Sequence, residues 1–199
     1  MNYIDEGYIK FSCKWQKTDQ AVACSSQLLA ARDKMHELKF IGFDEHHQVG
    51  YGNISERTQG NKFIISGTQT GHIYPIKPTD FTLITSFNID ENQVICEGPA
   101  QASSETMTHA ALYEALPGVS AIIHIHNKAI WQKLLKTDLK TAEEVPYGTP
   151  EMAYEIKRLV VQENVLSQRI LAMAGHEDGV IAFGSTFEEA IKPILALIN

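Results

Sequence analysis

Apolar residues recur at helical spacing in four stretches of the chain. From Thr18 to Leu38 they alternate with Gln, Arg, Asp and Lys, which predicts an amphipathic helix. Residues 103–118 adopt the same period after a middle section rich in strand formers, and a proline-glycine pair ends that predicted helix. Two more helices are predicted, from Pro150 to Gln162 and over residues 185–198, the latter despite Pro193.

Shorter runs rich in β-branched and aromatic residues predict strands between these helices. Turns with Gly, Asn or Asp bound most of these runs. The predicted strands lie near residues 51–55, 61–67, 79–87, 92–98, 119–126, 169–175 and 179–184. Antiparallel-looking strands mixed with helices predict an α/β sandwich in which helices cover both faces of one sheet.

Composition narrows the class of protein. The chain has 199 residues, 44% hydrophobic and 21% charged, and no linker or repeat divides it. A chain of this size buries roughly 70% of its unfolded surface, so we expect a single domain over residues 1–199. The net charge of −7 gives no electrostatic basis for nonspecific binding to nucleic acid or anionic membranes. Because no targeting signal or apolar run of ~20 residues is present, we expect a cytoplasmic protein.

The three cysteines, Cys13, Cys24 and Cys96, are widely spaced and form no C-x-x-C motif. An odd number at this spacing predicts neither a disulfide framework nor a thiolate zinc site. We therefore expect structural or free thiols.

The sequence places His124 and His126 inside an apolar run, with only Ile125 between them. Side chains alternate faces along a strand, so the two imidazoles share one face with Cβ atoms about 7 Å apart. That spacing suits two ligands of one metal ion. The plain alternative is two incidental histidines at a strand end, and a catalytic zinc needs a third protein ligand.

His176 is the candidate for the third ligand. It lies between two predicted strands, where a loop can bring an imidazole over the end of a sheet. An ordinary loop histidine is the alternative. The other five histidines have no better individual basis for a function: His36, His46, His47, His72 and His109, the last one helical turn after Glu105.

Three short segments carry groups that suit a phosphate. Residues 51–55 and 65–71 are glycine turns with small hydroxyl or amide side chains, and their backbone N–H groups can bind an anion. Residues 102–105 place two serines at a predicted helix N-terminus, where free N–H groups and the dipole also favour an anion. Plain turns and a helix cap are the alternatives. Glu105 is a dipole partner there and, beside a metal, a candidate base.

Five motifs follow one another along the chain: YGNIS, ISGTQTG, ASSE, HIH and a late histidine before a glycine. Their order and spacing resemble those of the class II aldolase/adducin family. The resemblance spans residues 28–190, and the segment from SSE to H-x-H is its most specific part. It implies a three-layer α/β/α sandwich with a mostly antiparallel central sheet. It also implies a homotetramer with active sites at subunit contacts.

Carried over position by position, the resemblance makes His124 and His126 the H-x-H zinc ligands, His176 the late ligand and Glu105 the catalytic acid/base. By the same resemblance, the substrate phosphate is surrounded by Gly52, Asn53, Ser66, Gly67, Ser103 and Ser104. Zn²⁺, or another divalent metal, would stabilise the enediolate formed when a carbon–carbon bond of a ketose phosphate breaks. Glu105 would move the proton.

The late motif departs from the family pattern, because Glu177 and Asp178 stand where a glycine usually follows the histidine. This departure adds negative charge near the proposed metal. Tyr147, in VPYGTP, is a further pocket candidate, with plain packing as its alternative.

Several activities share this family frame: aldol cleavage of fuculose or rhamnulose phosphates, epimerisation of ribulose phosphate and dehydration of methylthioribulose phosphate. Glutamate after the two serines resembles the aldolases and dehydratases, whereas the epimerases carry aspartate. An adducin-like scaffold without catalysis is the alternative from another class, and retention of three histidines with Glu105 argues against it. We therefore expect a metal-dependent aldolase-type lyase that acts on a small sugar phosphate.

Overall fold

An eight-stranded sheet forms the centre of this computed structural model, which describes residues 7–198. Residues 1–6, which open the stretch searched for a targeting signal, and Asn199 lie outside the described residues. The part of the chain that the structure describes has ten strands: β1 (Ser12–Lys17), β2 (Gly42–Asp44), β3 (Val49–Tyr51), β4 (Asn53–Arg57), β5 (Phe63–Ser66), β6 (Phe81–Asn88), β7 (Gln93–Gly98), β8 (Ala121–His126), β9 (Ile170–Ala172) and β10 (Gly179–Gly184).

The sheet is mostly antiparallel. Its strand order is β1-β7-β6-β5-β4-β8-β10-β9, and β2 and β3 form a separate hairpin. Every neighbouring pair in the large sheet is antiparallel except β1 with β7. The prediction of a mixed α/β fold with a mostly antiparallel sheet is confirmed.

Within residues 7–198, six α-helices lie in two layers over this sheet. They are α1 (Ser26–Glu37), α2 (Thr106–Ala115), α3 (Lys128–Leu134), α4 (Pro150–Val160), α5 (Glu163–Gln168) and α6 (Phe187–Ile198). The buried apolar residues of α2, α4 and α5 belong to one core, and those of α1, α3 and α6 belong to the other. No helix within residues 7–198 combines the length and apolarity that crossing a membrane requires.

Local capping sets the helix starts and corrects two predicted boundaries. The first helix begins at Ser26 rather than Thr18, because the Ser25 hydroxyl accepts a hydrogen bond from the Leu28 N–H at 3.0 Å. The second begins at Thr106, with Glu105 rather than a serine at the cap position. Thr149 caps α4 in the same way as Ser25 caps α1.

The central strand β8 separates the two cores by alternation. Its residues Ala121, Ile123 and Ile125 pack into the core of α1, α3 and α6, whereas Ile122 packs into the core of α2, α4 and α5. His124 and His126 continue the row of Ile122, so they project toward the side of the sheet that α2 covers. The pairing register of β8 therefore sets the positions of both imidazoles.

Candidate active site

Three imidazoles meet at the end of β8. Their ring centroids lie 5.0 Å apart for His124 and His126, 5.1 Å for His124 and His176, and 4.8 Å for His126 and His176. One candidate ligand atom from each residue lies within 4.8 Å of the others, so the three form a group that could hold a metal ion. The structure thus brings together the pair from the strand and the late histidine from the β9–β10 loop.

The burial, hydrogen bonding and protonation of His124 fit a metal ligand. Its side chain is almost fully buried, and its Nε2 has no hydrogen-bond partner among the described residues. Burial above all, and then the charges of the neighbouring histidines, lower the pKa of His124 well below its ordinary value. The imidazole is therefore neutral at pH 7, which is the form that binds metals.

Asn53 orients His124 from the adjacent strand. The two residues face each other in the β4–β8 pairing, and Asn53 Nδ2 lies 3.2 Å from His124 Nδ1. Asn53 Oδ1 is buried without a hydrogen-bond partner within residues 7–198. A half-turn of the amide lets Oδ1 accept a hydrogen bond from Nδ1–H. That tautomer leaves the Nε2 lone pair of His124 available to a metal.

A buried carboxylate lies beside the imidazoles. Glu105 is 1% exposed, and its Oε1 lies 3.5 Å from Nδ1 of His176. Its Oε2 accepts a hydrogen bond of 2.7 Å from the hydroxyl of Thr108, one helical turn further along α2. Thr108 was not among the predicted site residues, although the i, i+3 spacing from Glu105 is the signal that could have found it.

A narrow polar cleft leads to this group. It is lined by Gly7, Gly50, Gly52, Asn53, Gly67, Thr68, Gln69, Thr70, Gly71, Ser103, Ser104, Glu105 and His124. The two glycine turns and the serine segment, which were predicted separately, therefore line one cleft. Ser66 is not among its lining residues; it is buried, and its hydroxyl accepts a hydrogen bond from the Ile54 N–H at 3.2 Å.

Close contacts with neighbouring backbone require glycine at two positions of the cleft. Gly52 has a φ of +72°, and a Cβ there would lie 3.0 Å from the carbonyl oxygens of both His124 and Phe40. At Gly71, a Cβ would overlap the carbonyl oxygen of Gly42. Each turn is thus packed directly against backbone, and a side chain at either position would displace the cleft wall.

Arg32 supports the second glycine turn from below. This residue of α1 is 1% exposed, and its Nη2 donates hydrogen bonds to the carbonyls of Thr70 at 2.8 Å and Gly71 at 3.1 Å. In the sequence pattern this arginine is one of the polar residues between the apolar positions of the first predicted helix. Its burial depends on a loop 38 residues further along the chain, so no local signal in the sequence indicates it.

The residues after His176 form a tight turn. The N–H of Gly179 donates to the His176 carbonyl at 3.0 Å, and Asp178 adopts a left-handed conformation with φ of 63°. Aspartate tolerates this conformation better than most residues with a side chain. The Glu177 side chain is 77% exposed and lies 3.8 Å from Lys128. Glu177 therefore extends into solvent and is paired with a cation.

The remaining histidines lie elsewhere. His47 bonds to Asp44 and contacts the ring of His46 on the β2–β3 hairpin, and His36 stacks on Tyr74. His109 is fully buried in α2, where its Nδ1 lies 2.6 Å from the Ser55 hydroxyl.

The fold and the site together define a class of protein: a layered α/β/α domain with a buried group of histidines that could hold a metal ion. The family model for the class II aldolase and adducin N-terminal domain matches residues 36–199. The chain belongs to this family, as the sequence motifs predicted.

Several solved structures share this fold. L-fuculose-1-phosphate aldolase from Thermus thermophilus is 19% identical, with a TM-score of 0.60 over 86% of this chain and 87% of that one. Sugar-phosphate aldolase from Thermotoga maritima is 15% identical, with a TM-score of 0.59 over 85% and 88%. An aldolase II superfamily protein from Pseudomonas syringae is 17% identical, with a TM-score of 0.57 over 90% and 77%. At these identities the likeness shows the fold.

Proposed function

We propose that this chain is a zinc-dependent aldolase-type lyase that cleaves a carbon–carbon bond of a small phosphorylated ketose. One observation carries the proposal: three imidazoles lie together beside a buried carboxylate, and two members of this group, His124 and Glu105, line a polar cleft with glycine turns and serines. Membership of a family that includes aldolases supports it.

His124, His126 and His176 would hold the metal, which when bound supplies Lewis-acid polarisation of the substrate oxygens. Three neutral imidazoles are a donor set that zinc uses in catalytic sites. The buried, unbonded Nε2 of His124 supports this assignment, because a buried polar atom without a partner is costly in a folded protein.

Glu105 would take up and return the proton during bond cleavage. The hydrogen bond from Thr108 to Oε2 fixes the plane of the carboxylate and places Oε1 on the side of His176. A base held in place by its own packing loses little entropy in the transition state. The role of Thr108 is therefore to orient the carboxylate.

The substrate phosphate would bind through neutral donors. The turns of Gly52 and of residues 69–71 would supply backbone N–H groups, since the N–H groups of Gly67 and Thr68 already donate to the carbonyls of Asp80 and Gln101. Ser103 and Ser104 would supply hydroxyls at the start of α2. Asn53 would contribute from the cleft wall, whereas Ser66, which does not line the cleft, would act through the hydrogen bond that joins its turn to Ile54. Within residues 7–198, no Lys or Arg side chain is among the residues that line the cleft.

A metal assay tests the first half of the proposal. Inductively coupled plasma mass spectrometry should find one divalent metal ion per chain in the purified protein, and His126→Ala should lose this ion. His46→Ala is the matched control, because this exposed imidazole lies on the hairpin away from the group. Equal, substoichiometric metal in all three proteins would contradict the proposal and favour a scaffold.

A substrate screen tests the second half. Phosphorylated ketoses are incubated with the metal-loaded protein, and released aldehyde distinguishes cleavage from epimerisation or dehydration, which release none. Glu105→Gln should lower the rate by roughly 10²–10⁴-fold, as expected for loss of a general base. Glu177→Gln removes an exposed carboxylate next to His176 in the sequence, and this variant should retain the rate of the unaltered protein. Full activity in Glu105→Gln would rule out the acid/base role.

We also propose that the protein is a homotetramer, on the basis of family membership. Light scattering coupled to gel filtration measures the mass directly. A monomeric mass would contradict this assembly.

A further inference from the structure

Two cysteines far apart in the sequence lie in contact at the edge of the sheet. Cys13 is in β1 and Cys96 is in β7, and their Sγ atoms are 3.6 Å apart. In the parallel pairing, Cys13 lies opposite Val94 and Cys96 lies opposite Trp15, so the cysteines are diagonal neighbours. Both side chains point to the core of α2, α4 and α5. A disulfide needs about 2.05 Å between sulfurs, so they must approach by roughly 1.5 Å.

The two thiols differ in exposure and acidity. Cys13 is half-buried, whereas Cys96 is completely buried. The hydrogen bond from Cys96 is the main cause that lowers the pKa of Cys13 to about 7; burial opposes it, and bonds from Gln101 and Ala102 assist it. The bond with Cys13, together with burial, raises the pKa of Cys96. An accessible thiolate next to a buried thiol is the arrangement in which one sulfur is oxidised and the other resolves it.

We propose that Cys13 and Cys96 form a reversible disulfide when the protein meets a peroxide, and that this bond acts on the proposed active site through Gln101 and Ala102. The first half is independent of the proposed lyase reaction. The second half rests on the proposed function only in naming the residues that would be disturbed.

The chemistry balances with hydrogen peroxide as oxidant. The Cys13 thiolate attacks one peroxide oxygen, an S–O bond forms, the O–O bond breaks, and the other oxygen leaves as water after taking a proton. The Cys96 sulfur then attacks the Cys13 sulfenic acid, and hydroxide leaves with the Cys96 proton as a second water. Two thiols thereby lose two electrons and two protons to one peroxide, which yields one disulfide and two waters.

The contacts of the sulfurs connect them to the cleft. Gln101 and Ala102, which both hydrogen-bond to Cys13, lead directly into the serine segment and Glu105. The Gln101 carbonyl accepts a hydrogen bond of 2.9 Å from the N–H of Thr68, and Ala102 bridges to Gly67. One short segment thus touches the thiols on one side and the second glycine turn on the other. Closing the sulfur pair therefore pulls on both walls of the cleft.

Thiol mapping tests the disulfide. Intact protein is treated with hydrogen peroxide, residual thiols are alkylated, and peptides are analysed without reduction. The number of free thiols should fall from three to one, and a peptide cross-linked between Cys13 and Cys96 should appear and disappear again with dithiothreitol. Alkylation of both cysteines after treatment, or only sulfinic acids and links between molecules, would overturn the proposal.

Cys24 provides the matched control. It lies on the other face of the sheet, where burial and then Glu56 raise its pKa to about 12. Cys24→Ser should form the cross-link as the unaltered protein does, whereas Cys13→Ser and Cys96→Ser should not.

Hydrogen exchange tests the coupling without using any enzymatic reaction. Amides of residues 99–109 should change their exchange rates several-fold after oxidation and recover after reduction. In Cys13→Ser, the same treatment should leave these rates unchanged. A quantitative disulfide with unchanged exchange in residues 99–109 would overturn the coupling, and this outcome is independent of whether the protein is a lyase.

Discussion

Tyr147 stacks on His176, with ring centroids 4.5 Å apart and an angle of 26° between the planes. The tyrosine is 3% exposed, and the ammonium group of Lys10 lies 3.8 Å from its ring centroid on a segment that precedes β1. The tyrosine hydroxyl accepts a hydrogen bond from the Tyr8 N–H at 3.3 Å. The third histidine is thus held by an aromatic ring that other residues fix in turn.

Replacing this ring should weaken metal binding. We expect Tyr147→Ala to lower the metal affinity by about 10-fold or more, because the residues that orient a ligand typically contribute 10–100-fold. Tyr147→Phe keeps the stack and should remain close to the unaltered protein. Competition with a chromogenic chelator measures the affinities, and equal values for the two variants would show that the stack is not what orients His176.

Removal of Arg32 should destabilise the protein and open the second glycine turn. In Arg32→Met, the carbonyls of Thr70 and Gly71 lose their donor, which we expect to cost roughly 2–4 kcal/mol of unfolding free energy. Lys34→Met, at an exposed position of the same helix, should change it by less than about 0.5 kcal/mol. Urea unfolding measures both. A loss in Arg32→Met no larger than in Lys34→Met would contradict the supporting role.

The close approach of Gly71 to Gly42 predicts a strong steric effect. Gly71→Ala places a Cβ on the Gly42 carbonyl oxygen, and we expect a loss of about 2–4 kcal/mol or failure to fold. Gly118→Ala adds the same methyl group where nothing lies within 4 Å, so its effect should stay within about 0.5 kcal/mol. Thermal unfolding of the two variants compares them, and similar midpoints would refute the packing argument.

His109 should make stability depend on pH. Burial lowers its pKa to about 3, so the folded protein keeps this imidazole neutral while the unfolded chain protonates it near pH 6.5. The contribution of neutral His109 to the free energy of unfolding is therefore complete above pH 6.5 and is lost progressively as the pH falls toward 3. Between pH 6.5 and pH 5 the unfolding free energy should fall by up to about 2 kcal/mol on this account.

A variant isolates this contribution from that of the other buried imidazoles. His109→Asn keeps a polar atom near the Ser55 hydroxyl but does not titrate, so its stability should vary less between pH 6.5 and pH 5. His72→Asn, at an exposed position, should retain the full dependence. Parallel slopes for all three proteins would show that His109 does not carry the effect.

The site could be predicted where its geometry follows from local periodicity. Alternation along β8 places His124 and His126 on one face wherever the strand lies, and that prediction needed no tertiary information. The approach of His176 depends on a loop fifty residues away, so it rested on the family resemblance. Arg32 was missed because a polar residue in an amphipathic pattern is assigned to the solvent side, and its partners are carbonyls of a distant turn.

Parts of the fold were missed for similar reasons. The strand β1 has only two apolar residues, Cys13 and Trp15, alternating with polar ones, and its pairing with residues 93–98 stabilises it. The helix α3 has only seven residues after its Asn127 cap. Such short elements take their stability from tertiary contacts rather than from propensity. The last helix, in contrast, was predicted through Pro193, because its apolar face continues on both sides of the proline.

The parallel pairing of β1 with β7 has a consequence for synthesis on the ribosome. Ser12 pairs with Gln93, so the first strand of the sheet emerges some eighty residues before its partner. At roughly 5–20 residues per second, β1 waits for about 4–16 s with its edge unpaired. During this interval the Cys13 thiol has no Cys96 beside it. A nascent chain is therefore exposed to thiol reagents at this position before the sheet edge closes.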